Sequence, residues 1–221
     1  KNSSPEYYEI KDRCRRNLIR YTEAAFLSIS RMDFSLILDM GCGTGESTLA
    51  MLNICNGYVY AVDSDEKSLA HFKRKADLLN LTDRIRIIND SVLNSELLHI
   101  RFDLIIAEGI LNVIGFERGL EIINNRLKQG GYAIVHDELS SDREKRILFE
   151  TNGLKVLTAF ELDESIWWKE YYACLEQSIK SVPNKELFQN EIKEISEYKN
   201  SPEKFRSIIY VLEKSNEPPI V

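Results

Sequence analysis

LILDMGCGTGEST, residues 36–48, constrains this chain more than any other stretch. A short apolar run ends in an acid, Asp39, and Gly41, Gly43 and Gly45 follow at alternate positions. An apolar run bounded by turn signals reads as a buried strand. Glu46 to Asn53 reads as the helix that follows. Glycine lacks a Cβ, so the backbone can turn tightly there and come close to a ligand. A strand that passes through such a loop into a helix opens an α/β sheet, whose ligands bind at the carboxyl ends of the strands.

The unit recurs down the chain. YVYAVD (58–63) is a second strand ending in an acid, and Ser64 or Asp65 caps a helix running to about Leu79. RIRIIND (84–90) and FDLIIAEG (102–109) read as strands three and four, and Phe116 to Leu127 as an amphipathic helix closed by QGG. YAIVHDE (132–138) is a fifth strand, and REKRILFETNGLKVLTAFEL reads as a helix, a glycine turn and a sixth strand. Residues 6–30 are helical, residues 164–200 form a helical, charged and aromatic segment, and FRSIIYVLEK (205–214) is the last strand. The tail SNEPPIV reads as frayed. Strands alternating with helices predict a parallel sheet covered on both faces. With 221 residues, 43% of them hydrophobic, one core suffices. We read one domain: an N-terminal helical segment (1–34), a ligand-binding core (35–140) and a helical lid insertion (164–200).

The loop also discriminates among ligands. The dinucleotide fingerprint is G-x-G-x-x-G. Here Glu46 stands where its third glycine belongs. A carboxylate in the first helical turn suits the helix dipole but repels a pyrophosphate seated there, which disfavours NAD and FAD. S-adenosylmethionine has no phosphate; it carries a sulfonium, an ammonium and a carboxylate. Asp39 is placed to offset its positive end, Asp63 to accept both ribose hydroxyls, and Asp90 or Ser91 to bond the adenine amino group. Ile88 and Leu111 can pack on the ring or belong to the core.

LILDMGCGTG, the VD at 62–63, the ND at 89–90, FDLIIAEG and LKQGGYAIV resemble, in order and spacing, the motif series of class I S-adenosylmethionine-dependent methyltransferases. The resemblance spans roughly residues 35–137. It implies a Rossmann-like, doubly wound sheet of seven strands, with an antiparallel last strand inserted between strands five and six. It assigns cofactor contacts to Asp39, Gly41, Gly43, Gly45, Asp63, Asp90, Ser91 and Glu108. Cys42 and Ser64 stand within the same two turns and are counted with that set. EGILNVIGFERGL with ESIWWKEYY is similar to a group of poorly characterised small-molecule-type methyltransferases.

Methyl transfer is an in-line displacement, accelerated by alignment and by exclusion of water. A base is needed only where the acceptor holds its proton. WWKEYY (167–172) is the lid candidate: on a helix Trp167 and Tyr171 share one face, and Trp168 and Tyr172 another. Trp167, Trp168, Tyr172 and Asn112 are the candidate substrate wall, although the aromatics read equally well as core. His136, Glu138 and Tyr171 are the candidate catalytic groups; Glu108 and Asp137 are further base candidates, and Asp137 and Glu138 also suit a helix cap. Cys42 lacks a base partner and reads as a packing residue, and His71 and His99 as solvent-facing.

Absences narrow the acceptor. No N-P-P-Y turn follows strand four, and no Pro-Cys nucleophile occurs. KDRCRRNLIR (11–20) could be a basic RNA-binding patch, but such a run is usually a solvated helix face, and the net charge of −6 disfavours nucleic acid. Cys14, Cys42, Cys55 and Cys174 form no CxxC or zinc spacing and read as reduced thiols in a cytoplasm. No metal site and no membrane span are expected, KNSSPEYYEIKD does not read as a signal peptide, and the chain is expected as a monomer or homodimer. The leading expectation is methyl transfer from S-adenosylmethionine to a small molecule. The alternatives are a S-adenosylmethionine-binding sensor or accessory protein without transfer, and an RNA methyltransferase.

Overall fold

The structure is a computed structural model, which describes residues 5–30, 33–94 and 99–215. The tail expected to fray lies outside the described residues beyond Ser215. The first helix is α1 (Pro5–Leu27), with a proline at its start, where the missing N–H is no loss. The core alternates β1 (Leu36–Met40), α2 (Glu46–Ile54), β2 (Tyr58–Asp63), α3 (Glu66–Leu78), β3 (Ile85–Asn89), β4 (Phe102–Glu108), α4 (Leu111–Ile114), α5 (Phe116–Arg126) and β5 (Leu127–Glu138). Then come α6 (Asp142–Thr151), β6 (Leu154–Leu162), α7 (Glu164–Trp167), a π-helical turn (Trp168–Tyr172), α8 (Ala173–Ser181), α9 (Gln189–Asn200) and β7 (Ser207–Lys214).

The seven strands form one sheet in the order β3-β2-β1-β4-β5-β7-β6. Strands β1 to β5 pair in parallel, and β7 runs antiparallel to both β5 and β6. That is the Rossmann-like arrangement expected from the motif series. Successive strand residues point to opposite faces, and both faces are apolar. Ile37, Val59, Leu104, Ile106, Ile134 and Ile209 pack under α1, α2, α3 and the helices between β6 and β7. Leu38, Val62, Ile105, Ala133, Val135 and Ile208 pack with Leu120, Ile123 and Phe149 on the other side.

One boundary differs from expectation. QGG does not close α5, which ends at Arg126; it lies inside β5. The pairing of β4 with β5 shifts register between Phe102 and Leu104, so the extra residues are absorbed as an irregularity in the strand.

Candidate functional site

The carboxyl ends of β1, β4 and β5 converge on a cavity of about 840 Å³ roofed by α1 and the helices before β7. Asp39, Gly41, Cys42, Gly43, Glu108, Asn112, His136, Glu138, Trp167, Tyr171 and Tyr172 line it together. They come from elements far apart in sequence, and the strand ends gather them.

The glycine loop is fastened from below. Gly41 and Cys42 donate their N–H groups to Val62 O at 2.8 and 3.1 Å. Gly43 N–H donates to Asp63 Oδ2 and Asp65 N–H to Asp63 Oδ1, each at 2.8 Å. Asp63 therefore ties the loop after β1 to the turn after β2. Gly43 has φ +53° and open space where a Cβ would stand. Gly45 has φ +78°, and a Cβ there would lie 2.3 Å from the Phe72 ring.

Asp39 is 3% exposed and accepts from the Thr48 hydroxyl. Burial pushes its carboxyl up to about 7, Thr48 draws it down, and Glu108 and Asp63 add to the rise. Glu108 accepts from Thr22 Oγ1 and Ser47 Oγ, each at 2.6 Å. Three carboxylates thus surround the loop. Burial, with Asp39 and Asp63, also holds the Cys42 thiol well above its ordinary range, so Cys42 is not an activated nucleophile.

Asp90 and Ser91 lie off the main cavity, in a small recess shared with Leu38, Met40, Val62 and Ile88. Asp90 Oδ1 accepts from Ser91 N–H and Asn94 Nδ2, each at 2.7 Å. Leu111 is fully buried and belongs to the core. Asp63, Ser64 and Gly45 are not among the residues lining the main cavity.

On the far wall His136 Nε2 lies 2.8 Å from Ser207 Oγ, which accepts from Trp167 Nε1–H at 2.9 Å. The imidazole stacks on the Trp167 ring, with centroids 6.0 Å apart. Burial lowers the His136 pKa, so the ring is neutral at pH 7. Ser207 was not among the residues the sequence singled out; it is the serine that opens β7 and reaches this site only because β7 pairs with β5. Asp137 forms an ion pair with Lys145 at 2.9 Å, and Glu138 accepts from Ser140 Oγ at 3.2 Å. Neither caps α6, whose N-cap is Ser141.

The aromatic segment departs from the helical pairing expected of it. A π-helical turn holds one more residue than an α-helical one, so Tyr171 and Tyr172 both come beside Trp167, each with ring centroids 6.1 Å away. Tyr172 donates to Glu194 Oε1 at 2.7 Å. Burial raises the pKa of both phenols, which stay protonated at neutral pH. Trp168 is not among the lining residues: it stacks on Tyr198 at 5.5 Å, with Lys199 over its ring. The helical register turns it away from the cavity toward α9.

Helix α1 closes the roof. The basic run does not form a free patch. Lys11 pairs with Glu191 at 2.8 Å, Arg16 with Glu46 at 2.8 Å and Arg20 with Glu170 at 2.6 Å, while Arg13 donates to Ser178 Oγ at 3.0 Å. His71 does not face solvent: it is 6% exposed, stacks on Tyr8 and bonds Asp12 through Nε2 at 3.0 Å. Asp12 also accepts from Lys75 Nζ at 2.6 Å and Thr44 Oγ1 at 2.5 Å, fastening α1 to the glycine loop. His99 is exposed, as expected.

The four cysteines are not all thiols. Cys14 on α1 and Cys174 on α8 form a disulfide, while Cys42 and Cys55 are free. No pattern of spacing signals a bond between residues 160 apart; the fold brings the two helices together. Among the described residues no group of His, Cys, Asp and Glu could hold a metal ion, and no helix is long and apolar enough to cross a membrane.

A family model described as a methyltransferase domain matches residues 37–131. No curated protein matches the sequence. Among solved structures, the chain is similar to a SAM-dependent methyltransferase from Thiobacillus denitrificans in complex with S-adenosyl-L-homocysteine, at 15% identity, covering 96% of this chain and 99% of that one with a TM-score of 0.71. A SAM-dependent methyltransferase from Geobacter sulfurreducens, also in complex with S-adenosyl-L-homocysteine, matches at 16% identity, covering 88% and 89% with a TM-score of 0.69. The cyclase SpnF matches at 14% identity, covering 89% and 81% with a TM-score of 0.75. The shared fold therefore carries different activities, and the choice among them rests on the site.

Proposed function

We propose, from the methyltransferase domain over residues 37–131, that this chain binds S-adenosylmethionine and transfers its methyl group to a small molecule. The observation that carries the reading is the buried Asp39. Burial, Glu108 and Asp63 push its carboxyl up to about 7, and among the described residues only the Thr48 hydroxyl, not a cation, draws it back. Such a site is completed by a cationic ligand and repels an anionic one. A sulfonium with an ammonium fits; a pyrophosphate does not.

Asp39 and Glu108 hold the cationic end, Asp63 at the end of β2 the ribose, and the recess with Ile88, Asp90 and Ser91 the adenine. Gly43 leaves room for close approach of the cofactor. The cofactor supplies a methyl carbon bonded to a positively charged sulfur; as the acceptor's lone pair bonds that carbon, the C–S electron pair returns to sulfur. Trp167, Tyr171 and Tyr172 wall the acceptor side, aligning it and excluding water. His136 Nε2 is engaged by Ser207 Oγ, so Nδ1 is the ring nitrogen left to exchange a proton with the acceptor. Residues 164–200 serve as the lid. The small-molecule reading gains support from the basic run, four of whose five cations bind residues of this chain.

Calorimetric titration with S-adenosylmethionine, S-adenosylhomocysteine and NADH tests this. We expect the first two to bind and NADH not to; binding of neither by the folded protein refutes the reading.

Two further outcomes follow from the acids. Asp63→Ala removes two charge-assisted bonds that hold the loop, each worth about 1.5–3 kcal/mol. S-adenosylmethionine affinity is expected to fall about 10- to 100-fold, and unchanged affinity would return Asp63 to a structural role. Asp39 sets the pH dependence. Its folded pKa is raised, so the carboxyl is protonated below about 7. A cation binds the ionised form, so affinity is full above about 7 and declines as pH falls through that value. Titrations from acid to alkaline pH should show this slope in the wild type and not in Asp39→Asn.

A further inference from the structure

We propose that the methyl acceptor carries a carboxylate and that Arg15, projecting from α1 into the cavity, binds it. The inference rests on the proposed function and adds the substrate class. Of the five cations in KDRCRRNLIR, Arg15 alone has no partner: among the described residues nothing accepts a hydrogen bond from its guanidinium. Arg15, Leu18, Ile19 and Thr22 stand at i, i+3, i+4 and i+7, the face of α1 that lines the cavity. Arg15 lines the cavity and keeps more than a third of its surface open.

Five N–H donors turned to a cavity with no protein acceptor leave room for those of a ligand. The planar fork of a guanidinium matches the two oxygens of a carboxylate. Nearby acids hold the positive charge in place without engaging it: Glu108 accepts from Thr22 and Ser47, Glu194 from Tyr172, and Asp12 from Thr44, His71 and Lys75. The donors of Arg15 therefore stay free.

A carboxylate could come from the acceptor or from the amino-acid end of the cofactor. The position of Arg15 favours the acceptor. Arg15 lines the cavity together with Tyr171 of the aromatic wall, and its charge reaches His136. The cavity of about 840 Å³ has room for a second small ligand with an aromatic or alkyl body against Trp167, Tyr171 and Tyr172.

The test uses the full chain saturated with S-adenosylhomocysteine. A panel of small aromatic and aliphatic carboxylates, each paired with its primary amide (4-hydroxybenzoate with 4-hydroxybenzamide, 3-phenylpropanoate with 3-phenylpropanamide), is screened by thermal shift and then by calorimetry. We expect acids to bind about 10- to 100-fold more tightly than their amides, the range of a charged hydrogen-bonded pair. Arg15→Gln should erase that preference, Arg15→Lys should keep part of it, and both should bind S-adenosylhomocysteine as the wild type does. Amides equal to acids in the wild type, or a preference that survives in Arg15→Gln, overturns the inference. So does a loss of S-adenosylhomocysteine affinity in Arg15→Gln as large as the loss for acids, because the guanidinium then serves the cofactor's own carboxylate. Failure of the wild type to bind S-adenosylhomocysteine is a different result: it removes the proposed function itself, and this inference with it.

Discussion

Gly45→Ala is expected to lower the stability of the fold by about 2–5 kcal/mol and to abolish cofactor binding, whereas Gly43→Ala should cost the fold much less. The two glycines sit two residues apart in one loop and meet opposite surroundings. Gly45 has φ +78° and ψ 20°, a left-handed conformation that costs an L-residue about 1–2 kcal/mol. Its added methyl would also lie 2.3 Å from Phe72 Cδ2 and Cε2. Phe72 is fully buried on α3 and has nowhere to go, and overpacking of this kind costs about 1–3 kcal/mol. At Gly43 the φ of +53° carries a similar backbone cost, but nothing stands within 4 Å of an added Cβ. That open space is where a ligand would approach, so Gly43→Ala should weaken S-adenosylmethionine binding with a smaller change in stability. Urea unfolding and calorimetry on both variants separate the effects. In the double variant Gly45→Ala with Phe72→Leu, the packing share should return and the backbone share should not. Equal losses of stability at the two glycines would contradict this division.

The parts of the site that lie within one β–loop–α unit were legible in the sequence, because local chemistry determines them. The apolar run before Asp39, the glycine spacing and the acid at the end of each strand all follow from what a buried strand, a tight turn and a cationic ligand require. The parts built by distant packing were not. Arg15 sits in a run of cations that reads as a solvated helix face; nothing local says that its neighbours would pair with Glu46, Glu170, Ser178 and Glu191 and leave it facing a cavity. Asp12 and His71 are likewise 59 positions apart and become a buried pair only when α1 lies across α3. The aromatic segment was legible as a wall but not in its register. A π-helical turn breaks the i, i+4 rule from which the pairs were read, bringing two adjacent tyrosines beside Trp167 and sending Trp168 to α9.

Loss of the Cys14–Cys174 bond is expected to destabilise the protein by about 2–4 kcal/mol and to loosen the roof of the site. The bond joins residues 160 apart, so it constrains most of the unfolded chain, and the entropy of loop closure grows with that length. In the native state it ties α1 to α8, and both ends adjoin the cavity wall: Arg15 follows Cys14, while Tyr171 and Tyr172 precede Cys174 by three and two residues. The bond does not act alone, since Lys11–Glu191, Arg20–Glu170 and the Asp12 cluster also hold α1 down. Those are native-state contacts, whereas the disulfide acts largely on the unfolded state. Reduction should therefore shift the urea midpoint strongly while changing native circular dichroism little. The variant Cys14→Ser with Cys174→Ser should match the reduced wild type, since Cys42 and Cys55 are already free. Thiol titration of the denatured protein should count two free groups before reduction and four after. If the urea midpoint is the same in the reduced and oxidised protein, ion pairs and apolar packing alone hold α1 over the site, and the disulfide adds nothing to the roof.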